Sequence, residues 1–302
     1  MSPGGPPLEL GALGVWGHLD SLDVDAARDY ARRVDELGYG TLWVPETVGR
    51  EPFTLLGLLA GATSSVLLGT SIVSIWGHDA QTTRMAAATL QEATGGRFVL
   101  GLGVSHPHLA GRLRGHAFER PLTRLREYLA AYRAAVYRGP GAGAPQPPIL
   151  LAALRERMLA LAATDADGAF PYLVTPERVA WTRSVLDAAA TERRPLLAVS
   201  MPAVLATDAG NARSAARAYL APYLRTPTYQ QVWEQQGFAP PDWEKPGSDR
   251  LVDAMVVWGD TEAIRERIAD LRDAGADHVA MIPLSPDGTT ENLDLVEAMA
   301  GD

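Results

Sequence analysis

An alternation of two kinds of segment constrains this chain more than anything else in it. Short apolar runs, too short or too closely bounded by glycine to be helices, repeat against amphipathic segments of helical period. Eight such runs fall at 13–16, 41–44, 66–75, 98–103, 149–153, 168–170, 196–201 and 278–282. Strands that are apolar on both faces belong in a parallel sheet covered by helices, and eight βα units are what a closed barrel requires. The expected fold is α/β, a single (β/α)8 TIM barrel, with a doubly wound open sheet as the alternative.

Between the runs lie helix signals. In 24–37, Ala27, Tyr30, Ala31, Val34 and Leu37 share one stripe, and Gly38 is a natural left-handed stop. In 261–274, Asp260 is the cap, Ile264, Ile268 and Leu271 the buried face, and Gly275 the end. A length of 302 residues suits two domains or one barrel. The Pro/Gly segment 139–148 would leave half a barrel on each side, so it is expected to be a long loop within one domain, 1–302. Residues 226–250, with Tyr229, Trp233, Phe238 and Trp243 among Pro and Gly, are expected to be an aromatic-rich insertion between the seventh helix and the eighth strand. It would cover the barrel mouth or pack on a partner subunit.

Charge narrows the partners. The formal net charge is −9, with 36 acidic and 27 basic side chains and no basic run, so a phosphate backbone would be repelled and nucleic acid is not expected. With no cysteine, disulfides, thiolate catalysis and Cys-rich metal sites are excluded. The start, Met1 to Pro7, is Pro/Gly-rich rather than basic then apolar, and no uncharged run approaches the about 20 residues of a membrane helix. No membrane association is expected, and the expected compartment is the cytoplasm.

In a barrel the chemistry sits where strands end at their carboxyl edge. Trp16 and His18 follow the first run, Glu46 and Thr47 the second. Ser71 and Ser74 lie on the third, with Trp76 and His78 beyond it. Ser105, His106 and His108 follow the fourth, Arg155, Glu156 and Arg157 the fifth, and Tyr172 the sixth. His106 and His108 would point the same way on a strand, as a metal site wants, but Pro107 breaks the strand and no lysine or carboxylate set accompanies them, so no metal is expected. Ser105 lacks the glycine pattern of a nucleophile elbow. Gly101 and Gly103 give G-x-G without the third glycine, which rules out a dinucleotide fingerprint but leaves room for close approach of a flat ligand. The segment 69–76 reads equally well as a buried strand with satisfied hydroxyls.

Four motifs together are more specific: G-Y-G-T-L-W-V-P-E at 38–46, L-L-G-T-S-I-V-S-I-W at 67–76, G-G-R-F-V-L-G-L-G-V-S-H at 95–106 and A-D-G-A-F-P-Y-L-V-T-P-E at 166–177. With R-G-H at 114–116 and G-S-D-R-L-V-D-A at 247–254, they resemble the luciferase-like flavin and deazaflavin oxidoreductases over nearly the whole chain, and among them a mycobacterial-type group assigned to coenzyme F420. The resemblance implies a third strand with a bulge, commonly at a non-proline cis peptide, against the cofactor ring. By position that bond is Ser71 to Ile72. It also implies that Glu46 lies near the ring, that Ser74 lines its pocket and that Val104 and Ser105 flank it. His106 stands where a relative carries a carboxylate base, and Thr47 where that relative carries its catalytic histidine, so that relative's substrate does not carry over.

Relatives hold the cofactor phosphate on a Gly-rich turn after strand five; here Leu154-Arg155-Glu156-Arg157-Met158 replaces it. Either Arg155 and Arg157 supply charge in place of close backbone contact, or phosphate binding is weakened. The function implied is F420-dependent hydride transfer to or from a small apolar organic substrate, with Trp16, His18, Trp76 and Tyr172 facing it. An FMN-dependent monooxygenase is the nearest alternative; a cofactor-binding or dimer-interaction protein without turnover is another. His106, with an ordinary pKa of about 6.5, is the expected proton donor or acceptor, and Glu46 is the second candidate. A homodimer is expected through helices beside strands two and three, because Phe53, Leu55, Leu56, Leu58 and Leu59 make the second helix apolar beyond one stripe.

Overall fold

The computed structural model describes residues 9–301, so Met1 to Pro7 lie outside the described residues. Ten strands are assigned: β1 (Leu13–Trp16), β2 (Thr41–Val44), β3 (Leu67–Thr70), β4 (Val73–Ser74), β5 (Phe98–Gly103), β6 (Ile149–Leu151), β7 (Gly168–Ala169), β8 (Leu196–Leu205), β9 (Val257–Gly259) and β10 (His278–Leu284). All pair in parallel, in the order β10-β1-β2-β3-β5-β6-β7-β8, and β10 pairs with β8 to close the ring. Because β4 takes over the place of β3 beside β5, the ring has eight positions, and the barrel displaces the open-sheet alternative.

Two strands depart from expectation. The third run is broken at Ser71 and Ile72 into β3 and β4. β8 runs on to Leu205, four residues past its expected end, and pairs with β10 through Val204↔Leu284. Only Leu196 and Leu197 of β8 pair with β7, so the far end of that edge is free to take β9 at Ala203 to Leu205. Covering an otherwise open edge gives β9 its purpose, which a three-residue segment does not announce in sequence.

The helices follow their stripes. Val24–Glu36 is capped by Asp23, buries Ala27, Tyr30, Ala31 and Val34, and is followed by Gly38 at φ 80°. Thr261–Asp273 is capped by Asp260, buries Ile264 and Leu271, and is followed by Gly275 at φ 106°. Residues 139–148 carry neither helix nor strand. In the helix Pro52–Ala60, Phe53, Leu55, Leu56 and Leu59 are buried within this chain, and Leu58 is half-buried. Most of its apolar excess is taken up by the chain's own core, where Leu55, Leu56 and Leu59 lie, leaving Leu58 the part-exposed leucine of this helix. Residues 226–250 contain the helices Pro227–Glu234 and Pro240–Trp243, the first burying Tyr229, Val232 and Trp233. Among the described residues no helix is long and apolar enough to cross a membrane.

The barrel interior is locked by rings set against glycines. Trp43 donates its indole N–H to Nε2 of His278 at 2.9 Å, which leaves Nδ1 to carry the proton toward the Gly11 carbonyl at 2.8 Å. A Cβ on Gly69 would lie 2.3 Å from the Trp43 ring, and one on Gly14 would lie 2.7 Å from the His278 ring. Burial drives the pKa of His278 down to about 4, so the ring is neutral.

Candidate active site

At the end of β2 the chain delivers Glu46 into a nearly closed setting, its side chain 5% exposed. Its Oε2 accepts the backbone N–H of Ser74 at 2.7 Å and lies 3.3 Å from Nε2 of His78, while Oε1 pairs with the Arg114 guanidinium. His78 stands edge-on to Phe53, with ring centroids 5.2 Å apart. A Cβ on Gly77 would fall 2.6 Å from Glu46 Oε1, so the carboxylate and Arg114 occupy the space a side chain would need. One carboxylate thus ties together the end of β2, the strand β4 and the segment that follows β5. Arg114 belongs to the R-G-H motif, yet sequence reasoning gave it no role.

The Ser71–Ile72 peptide is cis, and Trp16 donates its indole N–H to the Ser71 carbonyl at 3.3 Å. A Cβ on Gly101 would lie 1.9 Å from the Thr70 carbonyl, and one on Gly103 would lie 2.8 Å from Ile72 Cδ1. These glycines make room for the bulge itself, which corrects the reading that left their space to a flat ligand. The Ser74 hydroxyl turns into its own loop and accepts the Trp76 N–H at 3.3 Å; the Trp76 indole donates to the Val104 carbonyl at 2.8 Å. The Trp16 and His18 rings meet edge to face at 5.2 Å, and the His18 backbone N–H donates to the Thr290 hydroxyl at 3.0 Å. Thr47 donates to Asp20 at 3.2 Å.

Ser105, at φ 55°, is one of four described non-glycine residues with left-handed backbone, as is Leu173 beyond β7. Such conformations cluster where a site over-determines the chain. After Ser105, Pro107 opens a short helical segment, His108–Leu113, so His106 and His108 do not sit on a strand; their rings stack at 5.9 Å. Among the described residues no group of three or more His, Asp or Glu side chains could hold a metal. Nδ1 of His106 is buried without a hydrogen-bond partner. Burial, with His108 beside it, lowers the pKa of His106 to about 4, which corrects the expectation of an ordinary value.

Against His106 stands a group of tyrosines. The Tyr229 ring is 5.3 Å from it; Tyr172 contacts Tyr223 at 5.3 Å and Tyr229 at 5.8 Å. The Tyr172 hydroxyl is hydrogen-bonded to that of Tyr219, and desolvation pushes both phenols well up. Sequence reasoning found Tyr172 and Tyr229 but not Tyr219 and Tyr223, whose only signal was their four-residue spacing.

Beyond β6 the helix Glu156–Asp165 begins at Arg155 with no side-chain cap. Arg155 reaches the Gln231 side chain, while Leu154 and Met158 pack against the core and the Met158 N–H donates to the Arg155 carbonyl at 2.9 Å. Arg178, from the next helix, Pro176–Ala189, donates to the Leu154 carbonyl at 2.6 Å and to Gln235 at 2.9 Å, and stacks 3.6 Å over Trp181. A cavity of about 470 Å³ is lined by Arg155, Glu156, Arg157, Arg178, Trp181 and Gln235. The last three were not anticipated, because they reach this turn from distant parts of the chain.

A closed parallel barrel whose third strand is broken in two and whose polar groups gather at the strand ends is a TIM barrel of the luciferase-like type, here with an arginine-lined turn beyond its fifth ring position. The family model for luciferase-like monooxygenases matches residues 9–278, and the chain belongs to that family. A Mycobacterium tuberculosis protein provisionally named as a coenzyme F420-dependent oxidoreductase is 27% identical over 322 aligned positions, covering 87% of this chain and 91% of the relative. The 5,10-methylenetetrahydromethanopterin reductase of Methanolobus tindarius is 26% identical, covering 85% and 90%. Among solved structures, the coenzyme F420-dependent tetrahydromethanopterin reductase of Methanopyrus kandleri shares the fold at a TM-score of 0.76 and 17% identity, covering 95% of this chain and 97% of that one.

Proposed function

We propose that this chain is an F420-dependent oxidoreductase that moves a hydride between the deazaflavin and a small apolar organic substrate. The deazaflavin, when bound, supplies the hydride chemistry. The observation that carries the reading is the sharing of one barrel end by the Ser71–Ile72 bulge and the uncapped helix start at Arg155. A helix start of that kind, with two arginines beside it, suits a phosphate.

Arg155 and Arg157 hold the phosphate, with Leu154 and Met158 anchoring the turn to the core. Ser71, Ile72, Val104 and Ser105 bound the place of the ring. Glu46 and Ser74 act from behind, fixing the bulge rather than exchanging protons, since both carboxylate oxygens already have partners. Trp16, His18, Trp76 and Tyr172 face the substrate. His106, neutral at physiological pH, is the proton donor or acceptor beside the ring.

Side-by-side calorimetric titration with F420 and FMN tests this reading. F420 is expected to bind more tightly. Tighter binding of FMN would place the chain with the flavin monooxygenases, and binding of neither would leave a barrel without this activity.

A further inference from the structure

We propose that a small monovalent anion of the chloride kind binds between the helices Ala80–Ala93 and Pro121–Ala134, held by the guanidinium of Arg84 and the hydroxyl of Tyr132. The two helices pack on each other. The first buries Thr83, Arg84, Ala87 and Leu90, the second Leu125, Tyr128, Leu129 and Tyr132. A charge therefore stands in a stripe where helical period calls for small or apolar groups. Arg84 is 7% exposed, its Nη1 is buried with no hydrogen-bond partner, and among the described residues it forms no ion pair. The Tyr137 ring lies 5.3 Å from its guanidinium carbon and offers a π face but no countercharge.

Tyr132 supplies the second, independent observation. It is 2% exposed, and its hydroxyl too is buried without a partner. Burial pushes its pKa up to about 12, so the phenol keeps its proton, while the nearby charge of Arg84 pulls the other way. Thr83 and Tyr128, on the same two helices, bond to each other at 2.5 Å and satisfy one another. The carboxylates whose charge reaches Tyr128 are engaged: Asp79 caps its own helix through Thr82, and Glu46 holds Ser74 and Arg114. Two donors and one uncancelled positive charge are left over. A guanidinium can only donate and a protonated phenol has a hydrogen to give, so the group that completes them is an acceptor carrying negative charge. Water would bring two hydrogens of its own to a place that needs acceptors. Packed helix axes lie about 8–10 Å apart, which leaves room for a single-atom ion rather than for a phosphate or an organic acid.

Thermal unfolding of the full chain, with sodium gluconate exchanged for sodium chloride at constant ionic strength, tests the site without cofactor or substrate. Chloride is expected to raise the midpoint saturably, by about 2–4 °C. The chloride NMR line should broaden on adding the protein. Arg84→Met keeps an apolar stem and deletes the charge; it should abolish both responses and, in gluconate, be at least as stable as wild type, because an uncompensated buried charge has gone. Tyr132→Phe removes the hydroxyl alone and should weaken chloride binding about tenfold. Equal midpoints of the wild-type chain in the two salts overturn the proposal, as does a chloride response that survives undiminished in Arg84→Met. Should Arg84→Met fail to fold, Tyr132→Phe decides in its place, and an unchanged chloride affinity there overturns the proposal equally.

Discussion

Glu46, just beyond β2, and Ser74, the last residue of β4, are joined by a 2.7 Å bond from the Ser74 backbone N–H to the carboxylate, whose other oxygen is held by Arg114. The bulge is thereby tied to the segment that follows β2 through a group that is itself charge-balanced. Glu46→Gln should keep the shape but lose the ion pair. Removing one partner of a buried pair costs about 3–5 kcal/mol; with Arg114 27% exposed the expected loss is about 1–3 kcal/mol. Denaturant unfolding measures it, and an unchanged midpoint would mean that the pair holds nothing in place.

Replacing Arg155 and Arg157 together by Ala should weaken cofactor affinity by about 2–4 kcal/mol, the scale of charge-assisted bonds to phosphate. Both side chains are exposed, so the fold should survive. Calorimetry decides, and undiminished affinity would remove the phosphate from this turn.

His106→Ala should lose about 10²–10⁴-fold in turnover while retaining cofactor affinity, as expected for removal of a group that handles a proton in the transition state. His106→Gln keeps hydrogen bonding and drops proton transfer. With its pKa lowered to about 4, the wild-type ring stays unprotonated through the neutral range, so the turnover profile should show no inflection near 6.5 from this residue. Near wild-type turnover in the Gln variant would make His106 structural.

Acid should unfold the protein earlier than its carboxylates alone would require. His278 is held near a pKa of about 4 in the fold, against about 6.5 when exposed, so between those values the unfolded chain binds the extra proton. Its contribution is complete above pH 6.5 and is lost as the pH falls toward 4, by about 3 kcal/mol at most; His106 acts in the same direction. Urea midpoints between pH 7 and 5, where carboxylates are still ionised, read this out. A flat midpoint would contradict a neutral buried imidazole.

Leu56→Ala, in the apolar helix Pro52–Ala60, should cost about 2–5 kcal/mol of stability, because Leu56 is fully buried in its own chain. Light scattering should show the same mass as wild type. A change of mass at unchanged stability would return this helix to an interface.

Much of the barrel was legible because its signals are local. Asp260 and Gly275 bracket a helix by capping chemistry that needs no distant partner. The break between β3 and β4 was not legible in hydropathy, since both pieces are apolar and both pair with β5; only the motif resemblance pointed to Ser71 and Ile72. Arg178 escaped notice because the groups that hold it, Leu154 and Gln235, stand 24 and 57 residues away. The low pKa of His106 depends on burial, and its neighbour Tyr229 comes from a helix far along the chain. Contacts of that range leave no mark in a linear pattern.

The glycines under the Trp43 and His278 rings bear on how such a barrel can be recombined. Gly14, Trp43 and Gly69 come from the first three ring positions, whereas His278 opens the last strand. A chimera that takes its first half from one parent and its last from another separates the imidazole from the socket in Gly14 that admits it. Any donor with a side chain at position 14 would collide with the imported ring at 2.7 Å, and one with a smaller group at 278 would leave the indole of Trp43 without its acceptor. Gene shuffling in this scaffold therefore has to inherit the first and last strands as a unit.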